Sequence, residues 1–146
     1  MADITERIEI DRPAAEVFAY LDDLTHAADW QASALEVRVE GGTPTRVGTR
    51  VTERRRVPGG DHDVTYEVTE HEHGRGYAFE GSGGPLRVSV RVSVELRDVD
   101  RCTVEVQFSF GASGMSRFIL PVVRREAQQQ VPADLRRLKA LLESAT

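Results

Sequence analysis

Apolar and polar residues alternate with a period of two over most of the chain between residues 35 and 110. This period places every second side chain on one face of a strand, so it predicts strands with one buried face. From residue 116 to residue 143 the apolar residues instead recur every three or four positions, which predicts one long helix. Its apolar residues are Phe118, Ile119, Val122, Val131, Leu135, Leu138 and Leu142. A helix of this kind has to cover one face of the sheet, and a cavity between the two can hold a small molecule.

Seven strands are predicted, and turn signals at Gly41-Gly42, Pro58-Gly59-Gly60 and 81–85 separate several of them. The strands cover residues 4–11, 35–39, 48–57, 64–68, 77–81, 86–96 and 102–110. A helix is predicted from Pro13 to about residue 22, and a second short helix or turn covers residues 25–30. Strands and helices that are segregated in this way indicate an α+β fold rather than a parallel sheet. Residues 1–146 are expected to form one domain, because no linker or internal repeat divides the chain.

Composition and charge exclude several classes of function. Hydrophobic residues make up 40% and charged residues 29% of the chain, as in ordinary globular proteins. A net charge of −5 weighs against nucleic acid as a partner, because phosphate binding requires a basic face. No apolar run approaches the ~20 residues that a membrane span needs, so membrane insertion is not expected. No signal peptide is visible after Met1, which predicts a cytoplasmic protein.

The motifs of a known superfamily occur in order along the whole chain. Ile8-Glu-Ile10-Asp-Arg-Pro13-Ala-Ala-Glu16-Val17-Phe18 is similar to its strand-to-helix opening, and Asp22 and Trp30 resemble the D…W pair that follows. Further similar segments are Val47-Gly48-Thr49-Arg50, Tyr66-Glu-Val68-Thr-Glu70 with Tyr77-Ala-Phe79, and Leu135-Arg-Arg-Leu138-Lys139-Ala-Leu141-Leu142-Glu143. The chain therefore resembles the START/birch-pollen-allergen-like superfamily, often called SRPBCC, and within it the polyketide cyclase/dehydrase and lipid-transport type.

The resemblance implies a helix-grip fold, in which a seven-stranded antiparallel sheet curves around a long C-terminal helix and encloses a ligand cavity. Two short helices follow the first strand in this arrangement. Members of the superfamily include lipid carriers, hormone receptors, aromatase/cyclases and chaperone partners. The fold alone therefore does not select a ligand.

Strand parity predicts which side chains face the cavity. Mostly apolar walls with a few polar groups are typical of small-molecule sites, although a closed core would use the same face. The same parity turns Glu53 and Arg55 inward on the third strand, and the alternative is that both lie on a solvated face. The run Arg54-Arg55-Arg56 is interpreted as a surface feature. The predicted wall consists of Val51, Tyr66, Val68, Tyr77, Phe79, Val90, Val92, Val106, Phe108 and Phe110.

The predicted long helix adds a polar pair to this cavity. At 100° per residue, Phe118, Ile119 and Val122 define an apolar stripe, and Glu126 continues it with Gln130 beside it. An inward carboxylate requires water, a partner or a ligand. Glu126 and Gln130 are therefore predicted to orient the polar group of a ligand, unless the helix rotates locally and both reach solvent.

Metal binding and nucleophilic catalysis find little support in the sequence. His71 and His73 share a strand face, but no third ligand has suitable spacing, so both are interpreted as exposed turn residues and no metal is predicted. Cys102 follows the inward parity and reads as a small buried hydrophobe. Glycine-rich segments at 81–85 and 111–114 carry no phosphate-binding pattern, so no cofactor is predicted.

Three functions follow from these observations. The first is binding or transport of a small hydrophobic molecule, such as a polyketide, a lipid or an aromatic metabolite. The second is an aromatase/cyclase or dehydratase acting on a polyketide-like substrate, with Glu126, Arg55, Tyr66 and Tyr77 as the candidates for proton transfer, although they form no recognisable dyad. The third is a protein-binding module, for which no residue is distinctive.

Overall fold

The computed structural model describes residues 2–41, 44–57, 60–83 and 86–144. The predicted turns at Gly41-Gly42, Pro58-Gly59-Gly60 and 81–85 fall partly outside these residues. The strands are β1 (Ile4–Ile10), β2 (Ala34–Glu40), β3 (Arg50–Val57), β4 (Gly60–Glu72), β5 (Gly76–Gly83), β6 (Leu86–Asp98) and β7 (Arg101–Ala112). The helices are α1 (Ala14–Asp22), α2 (Ala27–Trp30) and α3 (Leu120–Ser144), with 3₁₀ segments at Leu24–His26 and Gly114–Ile119.

All seven strands belong to one antiparallel sheet with the order β1-β7-β6-β5-β4-β3-β2. The chain from β2 to β7 runs as a meander, in which each strand pairs with the next one. β1 joins the far edge by pairing with β7, where Ile8 lies opposite Val104. The segment with α1 and α2 therefore connects the two edge strands, β1 and β2. This arrangement confirms the predicted α+β helix-grip architecture.

The core lies between the sheet and the helices. Along β6 and β7 alternate valines point to the same side and are buried, among them Val90, Val92, Val104 and Val106. α3 contributes Val131, Leu135, Leu138 and Leu142, and it packs mainly on β1. Cys102 is fully buried in this core, as its strand parity predicts.

The C-terminal helix differs from its prediction at its beginning. Residues Gly114–Ile119 form a 3₁₀ helix, and the α-helix begins only at Leu120, with Pro121 in its first turn. The helix then continues through Pro132 to Ser144. Because a 3₁₀ helix turns by 120° per residue rather than 100°, side-chain directions before Leu120 are out of phase with those after it.

Candidate functional site

Two adjoining chambers lie on the concave side of the sheet. The inner chamber, of about 40 Å³, lies beneath α2, and the outer chamber, of about 130 Å³, lies between the sheet and the first half of α3. They meet at Trp30, Gln31, Arg55, Tyr66, Val106 and Phe108. The inner chamber is also lined by Leu21, Leu24, Ala27, Val51, Glu53, Tyr77, Phe79, Val90 and Val92. The outer chamber adds Ser33, Arg56, Val64, Leu86, Val88, Phe110, Val123, Glu126, Ala127, Gln130, Val131 and Asp134.

A buried ion pair stands where the chambers meet. Strand alternation on β3 turns Val51, Glu53 and Arg55 to the concave side, while Arg54 and Arg56 point outward. The Arg55 Nε donates a hydrogen bond to Glu53 Oε2 at 2.6 Å, and the two side chains are 19% and 6% exposed. The alternative in which Glu53 and Arg55 lie on a solvated face is therefore wrong. The interpretation of the arginine run as a surface feature is confirmed for Arg54 and Arg56 and is wrong for Arg55.

The loop between α2 and β2 completes the environment of the guanidinium. Arg55 Nη1 donates to Ser33 Oγ at 2.9 Å, and Nη2 donates to the side-chain oxygen of Gln31. The backbone fixes this loop on the edge of the sheet, because Arg56 N donates to Ser33 O at 2.8 Å. Because three different nitrogens each donate to a protein acceptor, the guanidinium is held in one orientation. The second N–H group of Nη1 and that of Nη2 remain available to a ligand.

The charge of the cluster follows from its burial and its partners. Burial is the largest single effect and opposes the positive charge of Arg55, but the charge and hydrogen bond of Glu53 together with the electrostatic effects of Tyr66 and Asp134 outweigh it, so the pKa of Arg55 is raised. Burial raises the pKa of Tyr66 to about 12, although Arg55 acts in the opposite direction. Tyr66 is therefore a neutral phenol at physiological pH and can both donate and accept a hydrogen bond.

A close approach between neighbouring strands positions Tyr66. In the pairing of β4 with β5, Tyr66 lies opposite Gly81. A Cβ atom on Gly81 would collide with the ring of Tyr66 and would lie 2.6 Å from Thr65 O. Only glycine therefore lets the ring lie flat across β5, where it makes an edge contact with Phe79 at a centroid distance of 4.8 Å.

Tyr77 contributes a second buried phenol at the deep end of the inner chamber. Its hydroxyl donates to Leu21 O at 3.2 Å, at the end of α1. Burial raises its pKa, and the charges of Asp22 and Glu53 add to this effect. Because its proton is committed to a backbone carbonyl, this phenol connects α1 to β5 and does not offer its proton to a ligand.

A second buried carboxylate reaches the cluster from α3. Asp134 lies on the inward face of the helix, and its Oδ1 accepts a hydrogen bond from Ala32 N at 3.1 Å. Burial raises its pKa, against the opposing effects of the Ala32 N–H and the charges of Arg137 and Arg55. The same carboxylate connects α3 to the loop that holds Arg55.

We expect Asp134→Asn to stabilise the protein at pH 7 but not at low pH. The folded-state pKa of Asp134 lies above its unfolded value of 3.8. The free energy of unfolding therefore falls as pH rises from the unfolded pKa through the folded pKa, because the folded protein ionises this carboxyl group less readily. Asparagine removes the cost and keeps an acceptor for Ala32 N. Urea unfolding at pH 7 and at pH 3.5 measures the difference between parent and variant. A gain that persists undiminished at pH 3.5 would contradict this origin.

Most residues that strand parity selects do lie in the lining of the chambers. They are Val51, Arg55, Tyr66, Tyr77, Phe79, Val90, Val92, Val106, Phe108 and Phe110. Val68 is almost completely buried but belongs to the packed core and lines neither chamber. Parity identifies the concave face of a strand, but it does not separate the core positions on that face from the chamber walls.

The helical stripe predicted to face the cavity is wrong. Phe118 is 80% exposed, and Ile119 and Val122 are also exposed. Phe118 and Ile119 belong to the 3₁₀ segment, which is out of phase with α3, whereas Val122 lies on α3 one position away from its inward stripe. The inward positions are Val123 and Ala127, which continue the stripe of Val131 back by steps of four. Glu126 is exposed at the rim of the outer chamber, where its Oε1 accepts from the half-buried Gln130 Nε2 at 2.9 Å. These two residues therefore belong to the mouth and not to a buried centre.

The interpretation of the histidine pair as exposed turn residues is wrong for His71, which lies on β4, and is confirmed for His73, which is exposed in the turn after β4. His71 Nε2 lies 2.8 Å from Asp22 Oδ1, and both side chains are largely buried. The rings of His71 and His73 contact Phe18 edge-on at 6.0 and 5.7 Å. His71 therefore fastens the end of β4 to α1. Within the described ranges, no three histidine, cysteine or acidic side chains are grouped so that they could hold a metal ion.

Sequence analysis missed Asp134, Gln31 and Ser33. Asp134 carries a detectable signal, because it lies three residues after Val131 and four before Leu138, within the apolar stripe. A polar residue at such a position needs a buried partner. Gln31 and Ser33 lie in an irregular loop, where no periodicity indicates direction.

Solved structures share this fold over nearly the whole chain. A START superfamily protein from Mycobacterium smegmatis has a TM-score of 0.81 at 12% identity, and 98% of each chain is covered. The Zhui aromatase/cyclase from a Streptomyces species has a TM-score of 0.78 at 17% identity, covering 96% of this chain and 92% of that one. A truncated norcoclaurine synthase from Thalictrum flavum has a TM-score of 0.70 at 12% identity, covering 98% and 94%. These likenesses define the helix-grip class of fold.

The family is defined by sequence. The model of the family described as polyketide cyclase / dehydrase and lipid transport matches residues 1–143, so the chain belongs to this family. The predicted resemblance is confirmed. A search of curated proteins gives no match. Among the helices that the structure describes, none is both long enough and apolar enough to cross a membrane.

Proposed function

We propose that the protein binds a small, largely apolar molecule in the two chambers, with the polar end of the molecule at Arg55 and Tyr66. The observation that supports this most strongly is the buried Glu53–Arg55 pair at the junction of two apolar chambers. A few polar groups within apolar walls are what orient a ligand in a typical small-molecule site. The outer chamber has room for roughly ten water-sized groups, which suits a bicyclic aromatic compound or a short aliphatic chain.

The route into the site leads through the outer chamber. Its rim is formed by α3 on one side and by β6 and β7 on the other, with Leu86 and Phe110 opposite Val123 and Ala127. Glu126 and Gln130 lie on this rim. The inner chamber lies behind the junction, so a ligand that enters from the rim reaches Arg55 before it reaches Tyr77.

We expect Ala127→Phe to weaken binding of 2-naphthol, a bicyclic phenol, by at least about tenfold. Ala127 faces the outer chamber, and a benzyl group there occupies the volume that the ligand needs. Isothermal titration calorimetry on the parent and the variant measures the change. Ala140→Phe is the matched control, since it places the same side chain at an exposed position of the same helix.

Equal affinities of the parent and Ala127→Phe would contradict the proposed location of the ligand. A parent protein that does not bind apolar probes, and that carries no co-purified molecule in native mass spectrometry, would contradict ligand binding as the function. Ala140→Phe should bind like the parent, so a loss in both variants would indicate a general effect on folding instead of a blocked chamber.

Catalysis on a polyketide-like substrate is the second candidate, and the neutral Tyr66 beside Arg55 favours it. A phenol with a pKa of about 12 and a guanidinium can together donate hydrogen bonds to a carbonyl oxygen in an apolar cavity. This function rests on the same cavity and adds conversion to binding. An enzyme would convert an added oligoketide into a cyclised isomer or, with loss of water, into a dehydrated product, and chromatography coupled to mass spectrometry of the binding mixture would detect either. A carrier would return the oligoketide unchanged.

A further inference from the structure

The charges inside the chambers decide which polar end a ligand can carry. Among the described lining residues, the charged ones are Glu53, Arg55, Arg56, Glu126 and Asp134. Arg56 and Glu126 are exposed at the rim, and Arg56 faces Asp61 at 3.7 Å. The buried charges are therefore one guanidinium, from Arg55, and the carboxyl groups of Glu53 and Asp134.

The guanidinium already has protein acceptors and a counter-charge, which makes it a weak partner for an anion. Strong recognition of a carboxylate by arginine uses two parallel N–H groups of one edge. In this site Nε, Nη1 and Nη2 each already donate to a protein acceptor, on Glu53, Ser33 and Gln31 respectively. One N–H group remains on each of Nη1 and Nη2, which is enough for a neutral acceptor, but the charge of Arg55 is already balanced by Glu53, so an incoming carboxylate meets no uncompensated positive charge.

The second carboxyl group adds to this effect. Asp134 lies on the wall of the outer chamber and is electrostatically coupled to Arg55. A ligand anion at Arg55 would therefore face two protein carboxyl groups in a region of low dielectric constant, where like charges repel strongly. A hydroxyl group meets neither difficulty, because it can donate to a carboxylate and accept from Arg55 or Tyr66.

We infer that the chambers select a neutral ligand whose polar end is a hydroxyl or carbonyl group, and that they discriminate against a carboxylate on the same apolar frame. The inference rests on the proposed binding function and specifies its ligand class. It assigns Glu53 and Asp134 as the residues that determine specificity. Glu53 balances the positive charge of Arg55, and Asp134 adds a second buried negative charge.

The test compares 2-naphthol with 2-naphthoate by isothermal titration calorimetry at pH 7, where the first is neutral and the second ionised. We expect 2-naphthol to bind at least about tenfold more tightly. Equal or tighter binding of 2-naphthoate would overturn the inference while leaving the proposed binding function intact. Failure of both probes to bind, together with the absence of a co-purified molecule in native mass spectrometry, would overturn the binding function and, with it, this inference.

Two variants test the assignment of the specificity residues. Asp134→Asn and Glu53→Gln each remove one negative charge, so each should raise the affinity for 2-naphthoate relative to 2-naphthol by about tenfold. Asp134→Asn keeps an acceptor for Ala32 N and tests the inference alone if Glu53→Gln does not fold. Asp63→Asn is the matched control, because Asp63 is exposed and pairs with the outward Arg54. An unchanged affinity ratio in Asp134→Asn, or an equal change in the control, would overturn the assignment.

Discussion

Replacing Arg55 by methionine should lower the free energy of unfolding by about 3–5 kcal/mol. The substitution leaves the carboxylate of Glu53, 6% exposed, in an apolar surrounding without its ion-pair partner. It also removes the donors to Ser33 and Gln31, which hold the loop between α2 and β2 on the sheet. Urea unfolding followed by circular dichroism measures the loss.

The neighbouring residue on β3 provides the control for this experiment. Arg54 is about half exposed and pairs with Asp63 across the outer face of the sheet at 3.5 Å. Arg54→Met should cost no more than about 1 kcal/mol, as is usual for surface ion pairs. Adding Glu53→Gln to Arg55→Met should recover part of the loss, because the unpaired charge is then absent. Equal costs for Arg54→Met and Arg55→Met would contradict a buried pair.

Leu138→Ala should cost about 2–5 kcal/mol. Leu138 is fully buried at the centre of the apolar stripe of α3, where the helix packs on β1. Truncation removes apolar contacts and leaves a cavity that the rigid sheet cannot close. Thermal or urea unfolding of the variant measures this loss.

Leu141→Ala is the corresponding control on the same helix. Leu141 is 39% exposed, so its truncation should cost less than about 1 kcal/mol. If the two variants were equally stable, the helix would not be seated on the sheet in the orientation described above, and the walls of the outer chamber would change with it.

The strands could be predicted well because each has one buried face. Alternation on β6 and β7 reveals both the element and its inward residues, such as Val90 and Val106. On β3 the same reasoning leaves two solutions, since a run of three arginines is compatible with either face. What stabilises Arg55 in the inward direction is the set of partners Gln31, Ser33 and Asp134, which lie far from it in the sequence and interact with it only in the fold.

The face of the C-terminal helix shows a different limit. Extrapolation at 100° per residue from Phe118 fails because a 3₁₀ segment precedes the α-helix. Extrapolation backwards from Leu138 and Val131 succeeds, because those residues belong to the same regular helix as Val123 and Ala127. The packed end of a helix is therefore a better origin for such a prediction than its first apolar residues.

The phase of α3 also determines which of its carboxylates lies in the buried polar cluster. Glu126 appeared to be the inward carboxylate of α3, whereas Asp134 occupies that position two turns later. Both residues interrupt an apolar pattern, and only the true phase of the helix separates them. The sequence therefore places the polar residue of α3 at what proves to be the mouth of the cavity, whereas the structure has a buried carboxylate in the interior. The fold that encloses the cavity was predicted correctly.

A crystal structure of the protein with bound 2-naphthol would test the central claim most directly. The account predicts density for the ring system between the sheet and the first half of α3, with the phenolic oxygen within hydrogen-bonding distance of Arg55 or Tyr66. Density for the ligand outside the two chambers, or chambers closed by repacked side chains in the presence of saturating ligand, would contradict it.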